Sequence, residues 1–186
     1  GSGCTFPQGV EKDNGLPSAK RISGSDAAIQ LWTPGRMGYP LGVRIAIDTN
    51  VLIAALTRPR GRSAAIAQAW LDGEIEVVAS EATVREAEMV LGGGWLGRMT
   101  SRERVAALLE ALRSRTVWVG APAPIGDLPM KDEGDVRMVE TAVSGGATHV
   151  VTTDREFLSH RGYGDVEFVT PAEWIVISGQ RTVDSE

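Results

Sequence analysis

The sequence predicts an α/β fold: a three-layer α/β/α arrangement around a central parallel sheet of four to five strands. Three observations predict it. From residue 43 to residue 177, short apolar runs of strand length alternate with amphipathic segments of helical length, the pattern of crossover units that build a parallel sheet. Two of those runs, 43–47 and 148–152, deliver a carboxylate, Asp48 and Asp154, to the strand end or just beyond it. The length, 186 residues with 42% hydrophobic and 23% charged, suits one ordinary domain carrying an extension.

The elements follow in order. Residues 43–47 are a short, mostly apolar run that passes straight into Asp48-Thr49-Asn50, which reads as a buried strand ending in a turn. Residues 50–56 open a helix. Residues 57–63, TRPRGRS, form a loop around Pro59 and Gly61, and Ser63 is expected to cap a second helix that runs to Leu71 and stops at Asp72-Gly73. Residues 75–79 give a second strand. Ser80 caps the next helix, which runs to Leu91 and ends at Gly92-Gly93-Gly94. Thr100 or Ser101 starts another, in which Val105, Leu108, Leu109 and Leu112 recur at i, i+3, i+4 and i+7. Residues 116–119 are a third strand and 121–130 a Pro-rich loop. A helix over 135–143 places Val136, Val139 and Val143 on one face. Residues 148–152 form the fourth strand, 167–169 a short fifth, and 171–177 a last helix or turn, leaving 178–186 as a tail.

Residues 1–42 differ from the rest. They hold 8 of the 22 Gly and 4 of the 9 Pro, with no sustained period, so they have little to bury against the cost of ordering a backbone. This segment reads as an N-terminal extension or a cloning-derived piece; Gly1-Ser2 resembles a cloning scar, and 27–32 is its one apolar patch.

Composition removes several function classes. No apolar run is long enough to span a bilayer, and no basic-then-apolar leader opens the chain. The single cysteine, Cys4, excludes an internal disulfide and a thiolate zinc site, which fits a reducing, cytoplasmic setting. With only His149 and His160, a multi-histidine metal centre is also out. Metal chemistry, if present, is carboxylate chemistry. The 19 Lys plus Arg stand against 24 Asp plus Glu, a net charge of −5. Such a chain is no passive coat for nucleic acid, but the balance suits an enzyme with an acidic pocket and a basic rim.

Four acids converge on one sheet edge in this picture: Asp48 after the first strand, Glu86 early in the helix after the second, Asp135 at a helix start, and Asp154 after the fourth strand. Each has an ordinary local reading. Asp48 can cap a helix, Glu86 can sit on a solvated face with Glu81 and Glu88, Asp135 can favour a helix N-terminus, and Asp154 can make a turn. Their shared placement, at the strand C-termini where open α/β sheets bind ligands, is what points to chemistry. Gathered carboxylates cannot all stay ionised without counter-charge. Mg²⁺ or Mn²⁺ supplies it through oxygen ligands and retained waters, makes hydroxide available near neutral pH and neutralises charge on a phosphate in flight.

Residues 45–52, IAIDTNVL, are similar to the opening of PIN-domain ribonucleases. Residues 135–142, DVRMVETA, and 150–158, VVTTDREFL, resemble that family's later pair of blocks, in the family's order over residues 43–175. The resemblance implies a metal-dependent endoribonuclease, commonly the toxin of a bacterial toxin–antitoxin pair of the VapC kind. It assigns the four catalytic, metal-holding acids to Asp48, Glu86, Asp135 and Asp154, with Glu88 competing for the second place although Glu86 fits the spacing to Val90-Leu91 better. It makes Asn50 a polar group that orients the first acid, Thr152 a hydroxyl near the last, and Asp132 an outer helper. It implies an RNA substrate, a small antitoxin that sets an arginine fork between the carboxylates, and a homodimer, for which helix faces around Trp70, Trp95 and 105–112 are available.

The remaining features divide less sharply. Arg58, Arg60 and Arg62 share one loop on the side of Asp48 and either steer phosphate or are simply solvated; Arg155 either pairs with Asp154 or touches RNA. His149, inside a strand, is expected to be packed, and Trp70, Trp95, Trp118 and Trp174 are expected in the core or an interface. Three other classes compete with the nuclease. A receiver-type phosphoacceptor wants a lysine after a late strand, and no lysine follows Lys131. An aspartate-nucleophile phosphatase wants a second Asp where Asn50 stands. A catalytically silent scaffold binding RNA or protein retains no need for four acids. Gly92 to Gly94 lacks the Lys-Ser/Thr ending of a nucleotide loop.

Because residues 1–42 have so little to bury, a chain of residues 43–186 is expected to melt cooperatively and within a few degrees of the full chain. Circular dichroism on the two chains checks this, and loss of cooperativity on truncation would place the domain boundary elsewhere.

Overall fold

The computed structural model describes residues 42–126, 128 and 130–181. The N-terminal segment 1–41, its 27–32 patch and residues 182–186 lie outside the described residues. The elements run β1 (Arg44–Ile47), α1 (Thr49–Thr57), α2 (Arg62–Leu71), β2 (Glu76–Ser80), α3 (Glu81–Leu91), a 3₁₀ turn (Leu96–Arg98), α4 (Arg102–Ser114), β3 (Val117–Val119), α5 (Glu133–Ser144), β4 (His149–Val151), α6 (Arg155–Ser159), β5 (Gly162–Tyr163), β6 (Val166–Val169) and α7 (Pro171–Arg181).

The sheet order is β3-β2-β1-β4-β6-β5. The first five are parallel, and β5 pairs antiparallel with β6 at the edge. The chain therefore starts in the middle, winds outward through β2 and β3, and returns to the other side of β1 with β4. The β1/β4 boundary is the topological switch point, where open α/β sheets leave a crevice beyond the strand ends.

Strand residues alternate between two layers. Ile45, Ile47, Val77, Val151 and Val169 pack with α1, α2, α4 and α7 around Trp70 and Trp174. Ala46, Val78, Val150 and Phe168 face α5 and α6, against Met138, Val139 and Phe157. β1, β2, β4 and β6 are thus covered on both faces, as parallel strands require, and the three-layer expectation holds.

Several local expectations change. Ser63 does not cap α2: Gly61 takes that place, with no side-chain bond, and Ser63 lies in the first helical turn. The helix after the Pro-rich loop begins at Glu133 and is capped by Asp132, because its carboxylate reaches the amides of Gly134 and Asp135. Asp154 starts a short helix, α6, and is not merely a turn residue. The sixth strand, β5, is two residues long, too short to show any alternation in sequence. The final helix continues four residues beyond Ile177, to Arg181.

The tryptophans split between two environments. Trp70 and Trp174 are buried, whereas Trp95 and Trp118 are 43% and 53% exposed. Leu108 and Leu112 are also buried, so these and Trp70 build the monomer core and offer nothing to a second copy. His149 is packed as expected, buried edge-on against Trp174 with Nδ1 2.7 Å from Thr148 Oγ1.

Gly145 marks the tightest approach of α5 to the sheet. A β-carbon there would lie 2.8 and 2.9 Å from Val78 Cγ1 and Cβ and 3.0 Å from Thr141 O. Gly145→Ala is expected to cost about 1–3 kcal/mol through overpacking, read as a lower urea midpoint with an unchanged slope.

Candidate active site

Asp48 sits at the C-terminal end of β1 and caps α1. Its Oδ1 accepts the peptide N–H of Asn50 at 3.1 Å. Its Oδ2 accepts the Thr152 hydroxyl at 2.5 Å. Thr152 Oγ1 in turn accepts the peptide N–H of Asp154 at 3.0 Å. One hydroxyl therefore ties the end of β1 to the turn after β4. Asn50 holds Asp48 through its backbone amide, because an N-cap carboxylate is aimed at the second residue of the helix; its side chain is exposed.

Asp154 caps α6, its Oδ1 accepting from Glu156 N at 2.7 Å and Phe157 N at 3.3 Å. Asp132 caps α5, its Oδ1 accepting from Gly134 N at 2.7 Å and Asp135 N at 3.3 Å. Glu86 rises from α3 against the start of α5. A β-carbon on Gly134 would lie 3.0 Å from Glu86 Oε2 and 2.8 Å from Asp132 Oδ1, so glycine is what allows the two carboxylates to flank this turn. Glu88 accepts the Arg113 Nε–H at 2.8 Å. Its charge is committed to α4, which separates it from Glu86.

The electrostatics show which acids share the space. Burial first, then the charges of Asp132, Asp154, Asp48 and Glu86, push the Asp135 carboxyl up to about 6. Burial, then Asp48 and Asp132, also push Glu86 upward, while the Arg137 guanidinium pulls it back. Asp48, Glu86, Asp132, Asp135 and Asp154 are therefore brought within one another's fields at the switch point. Arg137 is a neighbour that sequence reasoning does not single out; its position two residues beyond Asp135 is the available signal. It is exposed and donates to Glu133 at 2.7 Å. A groove of about 1100 Å³ opens beside the cluster, lined by Glu86, Asp132, Gly134 and Arg137 together with Arg85, Glu88 and Met89.

The donor set is all carboxylate oxygen, which suits a hard cation. Among the described residues no three His, Cys, Asp or Glu side chains close on one point as ligands. Mg²⁺ keeps several of its waters and needs only one or two carboxylates from a protein. The repulsion felt by Asp135 is the kind that such a charge would relieve.

Arg58, Arg60, Arg62 and Arg155 are all exposed and form no ion pair among the described residues. Arg155 does not pair with Asp154, whose carboxylate is turned toward α6. Arg58 and Arg62 border a second groove with Thr170, Pro171 and Ala172, just beyond β6.

A parallel sheet between helix layers, with five acids at its switch point, defines a carboxylate-centred α/β domain. The chain belongs to the PIN-domain family: that family's model matches residues 44–156, from β1 into α6. PIN domains are generally nucleases. No curated protein matches the chain. Among solved structures, a chain from the VapBC2 complex of Rickettsia felis, crystallised with a DNA fragment from its promoter, is similar with a TM-score of 0.48 and 12% identity, over 69% of this chain and 98% of that one. No helix among the described residues is long and apolar enough to cross a membrane.

The Asp135 shift has a definite sign. A carboxyl raised from 3.8 to about 6 adds stability that is complete below the lower value and lost as pH rises through the upper one. In the presence of a chelator, Asp135→Asn is expected to stabilise the chain above pH 6, by no more than about 1 kcal/mol given solvent screening. The gain should fade as pH falls toward 4, and urea melts at pH 5 and pH 8 measure it.

Proposed function

We propose that this chain is a Mg²⁺- or Mn²⁺-dependent endoribonuclease, acting through Asp48, Glu86, Asp135 and Asp154. The observation that carries the reading is the convergence of these acids, with Asp135 raised by burial first and then by four neighbouring charges. A divalent cation bound there supplies charge neutralisation on the phosphate and a more acidic water. The chain's own groups do the positioning. Thr152 fixes the rotamer of Asp48, and the α6 amides fix Asp154, so two acids from opposite sides of the switch point are held before any ligand arrives. Glu86 and Asp135, whose carboxylates accept no hydrogen bond among the described residues, are free to adjust to an incoming charge. Asp132 holds the start of α5 and so the direction of Asp135. The exposed arginines 58, 60, 62 and 155 form a basic rim for the RNA backbone, as the net acidity of the centre demands.

Such an enzyme needs restraint inside a cell. The reading extends to the toxin of a cytoplasmic toxin–antitoxin pair, held by a small antitoxin and assembled as a homodimer; PIN membership and the block pattern at 45–52, 135–142 and 150–158 support it.

Cleavage of a mixed RNA pool is the direct test. The chain should cut with Mg²⁺ or Mn²⁺ and stop with chelator, and Asp48→Asn should lower the rate at least about 10²-fold. Expressed alone, the unsubstituted chain should slow growth of a host and Asp48→Asn should not. RNA bound but uncut under every metal would leave a binding scaffold.

A further inference from the structure

The start of α2 is an open helix N-terminus, apart from the acids. Gly61 provides no side chain to close that helix, and no acidic residue stands in its first turn. The first amide to bond back is that of Ala65, to Gly61 O at 3.2 Å, so the N–H groups of residues 62–64 have no helical carbonyl to meet. Ser63 is only 8% exposed, and its hydroxyl has no hydrogen-bond partner among the described residues. It borders the groove of about 300 Å³ that Arg58 and Arg62 also line. Among the described residues the Ser63 oxygen is not one of the sealed, unpaired polar atoms, so it stays open to the groove and can donate to an acceptor that enters it.

The opposite wall is Thr170, Pro171 and Ala172. There the start of α7 is already closed: Glu173 accepts both the Thr170 amide, at 2.8 Å, and its hydroxyl, at 2.7 Å. Of the two helix starts meeting at the groove, only that of α2 is open. The groove lies on the same sheet edge as the acids. Thr152 donates its amide to Val169 O at 3.0 Å, and Thr170 follows Val169 directly. It is two strands from Asp48, about 10 Å at ordinary strand spacing.

We propose that this groove holds a backbone phosphate of the RNA strand whose neighbouring linkage lies over the acids. The Ser63 hydroxyl and the α2 amides grip the phosphate oxygens, and the Arg58 and Arg62 guanidiniums supply charge. An acidic centre repels a polyanion, and an anchor to one side holds the strand there. The proposal rests on the RNA-cleavage reading of the acidic edge and assigns to it a specific flanking anchor.

The test uses the full-length chain carrying Asp48→Asn, with Mg²⁺ and a short unstructured single-stranded RNA, followed by fluorescence anisotropy over a range of salt. Arg58→Ala with Arg62→Ala should weaken binding about tenfold or more and flatten the salt slope by about 0.7 for each phosphate no longer neutralised. Ser63→Ala should weaken it several-fold. In the unsubstituted chain, which needs no variant to fold, inorganic phosphate should shift the amide resonances of residues 62–64, and RNA should compete for that site. Unchanged affinity and slope in variants that melt like the parent would overturn the proposal. So would phosphate shifts at 62–64 that RNA does not displace, which would make the groove a site for free phosphate. If the unsubstituted chain cuts no RNA with any divalent metal, yet binding still depends on Ser63 and both arginines, the cleavage reading falls and the phosphate site stands.

Discussion

Parallel pairing of β1 with β4 sets Ile47 opposite Val151, and the acidic edge follows from that register. The next residues along the two strands are Asp48 and, one pair over, Thr152, close enough for the hydroxyl to bond the carboxylate at 2.5 Å. Slipping either strand by one residue would turn its side chains to the opposite layer. Ile45 and Ile47 belong with α1, α2 and α7, and Ala46 belongs against α5; a slip would drive the large side chains into the small side chain's place. The core therefore pins the geometry of the acids, although no acid is part of it.

The acids fall into two physical kinds. Asp48, Asp132 and Asp154 each cap a helix, so part of the repulsion among them is offset by amides and by the positive end of the helix. Glu86 and Asp135 have no such bonds and are the two whose protonation is displaced upward. Capping and chemistry are thus not rival explanations for Asp48 and Asp154. The cap is what fixes a carboxylate that the site then presents. A carboxylate has lone pairs left after accepting one or two amides, so the same group can serve both ends.

This division explains what is legible in the sequence. Strands covered on both faces are mostly apolar, so β1, β2 and β4 stand out, and a carboxylate at or shortly after the end of such a run is hard to miss. Telling Glu86 from Glu88 depends on α4 and α5: Arg113, 25 residues away, takes up Glu88, and the turn at Gly134 stands against Glu86. Ser63 misleads because Ser is a good cap by type; the chain turns earlier, at Gly61, where Gly61 N already bonds Arg58 O at 2.8 Å. The short helix α6 and the two-residue β5 carry too few residues for any period to show. Trp70 and Trp95 look alike in sequence, yet Trp70, on the inner face of α2, is buried and donates to Arg115 O, whereas Trp95 stays at the surface, a difference set by packing between distant segments.

A net charge of −5 and a polyanionic ligand are compatible only if charge is sorted in space. The structure does sort it. Arg44, Arg85, Arg113 and Arg137 are spent on Glu76, Glu81, Glu88 and Glu133, where they neutralise the flanks. Arg58, Arg60, Arg62 and Arg155 stay free of ion pairs among the described residues; Arg155 directly follows Asp154, and Arg58 and Arg62 stand beside the end of β6. Placing unpaired cations beside crowded acids would normally let the two collapse onto each other. Here the caps prevent it: Asp154 is held by α6, Asp132 by α5, and Asp48 by α1 and Thr152, so three of the acids are turned into their own helices. The arginines are left facing outward, and the edge keeps both a negative centre and a positive border.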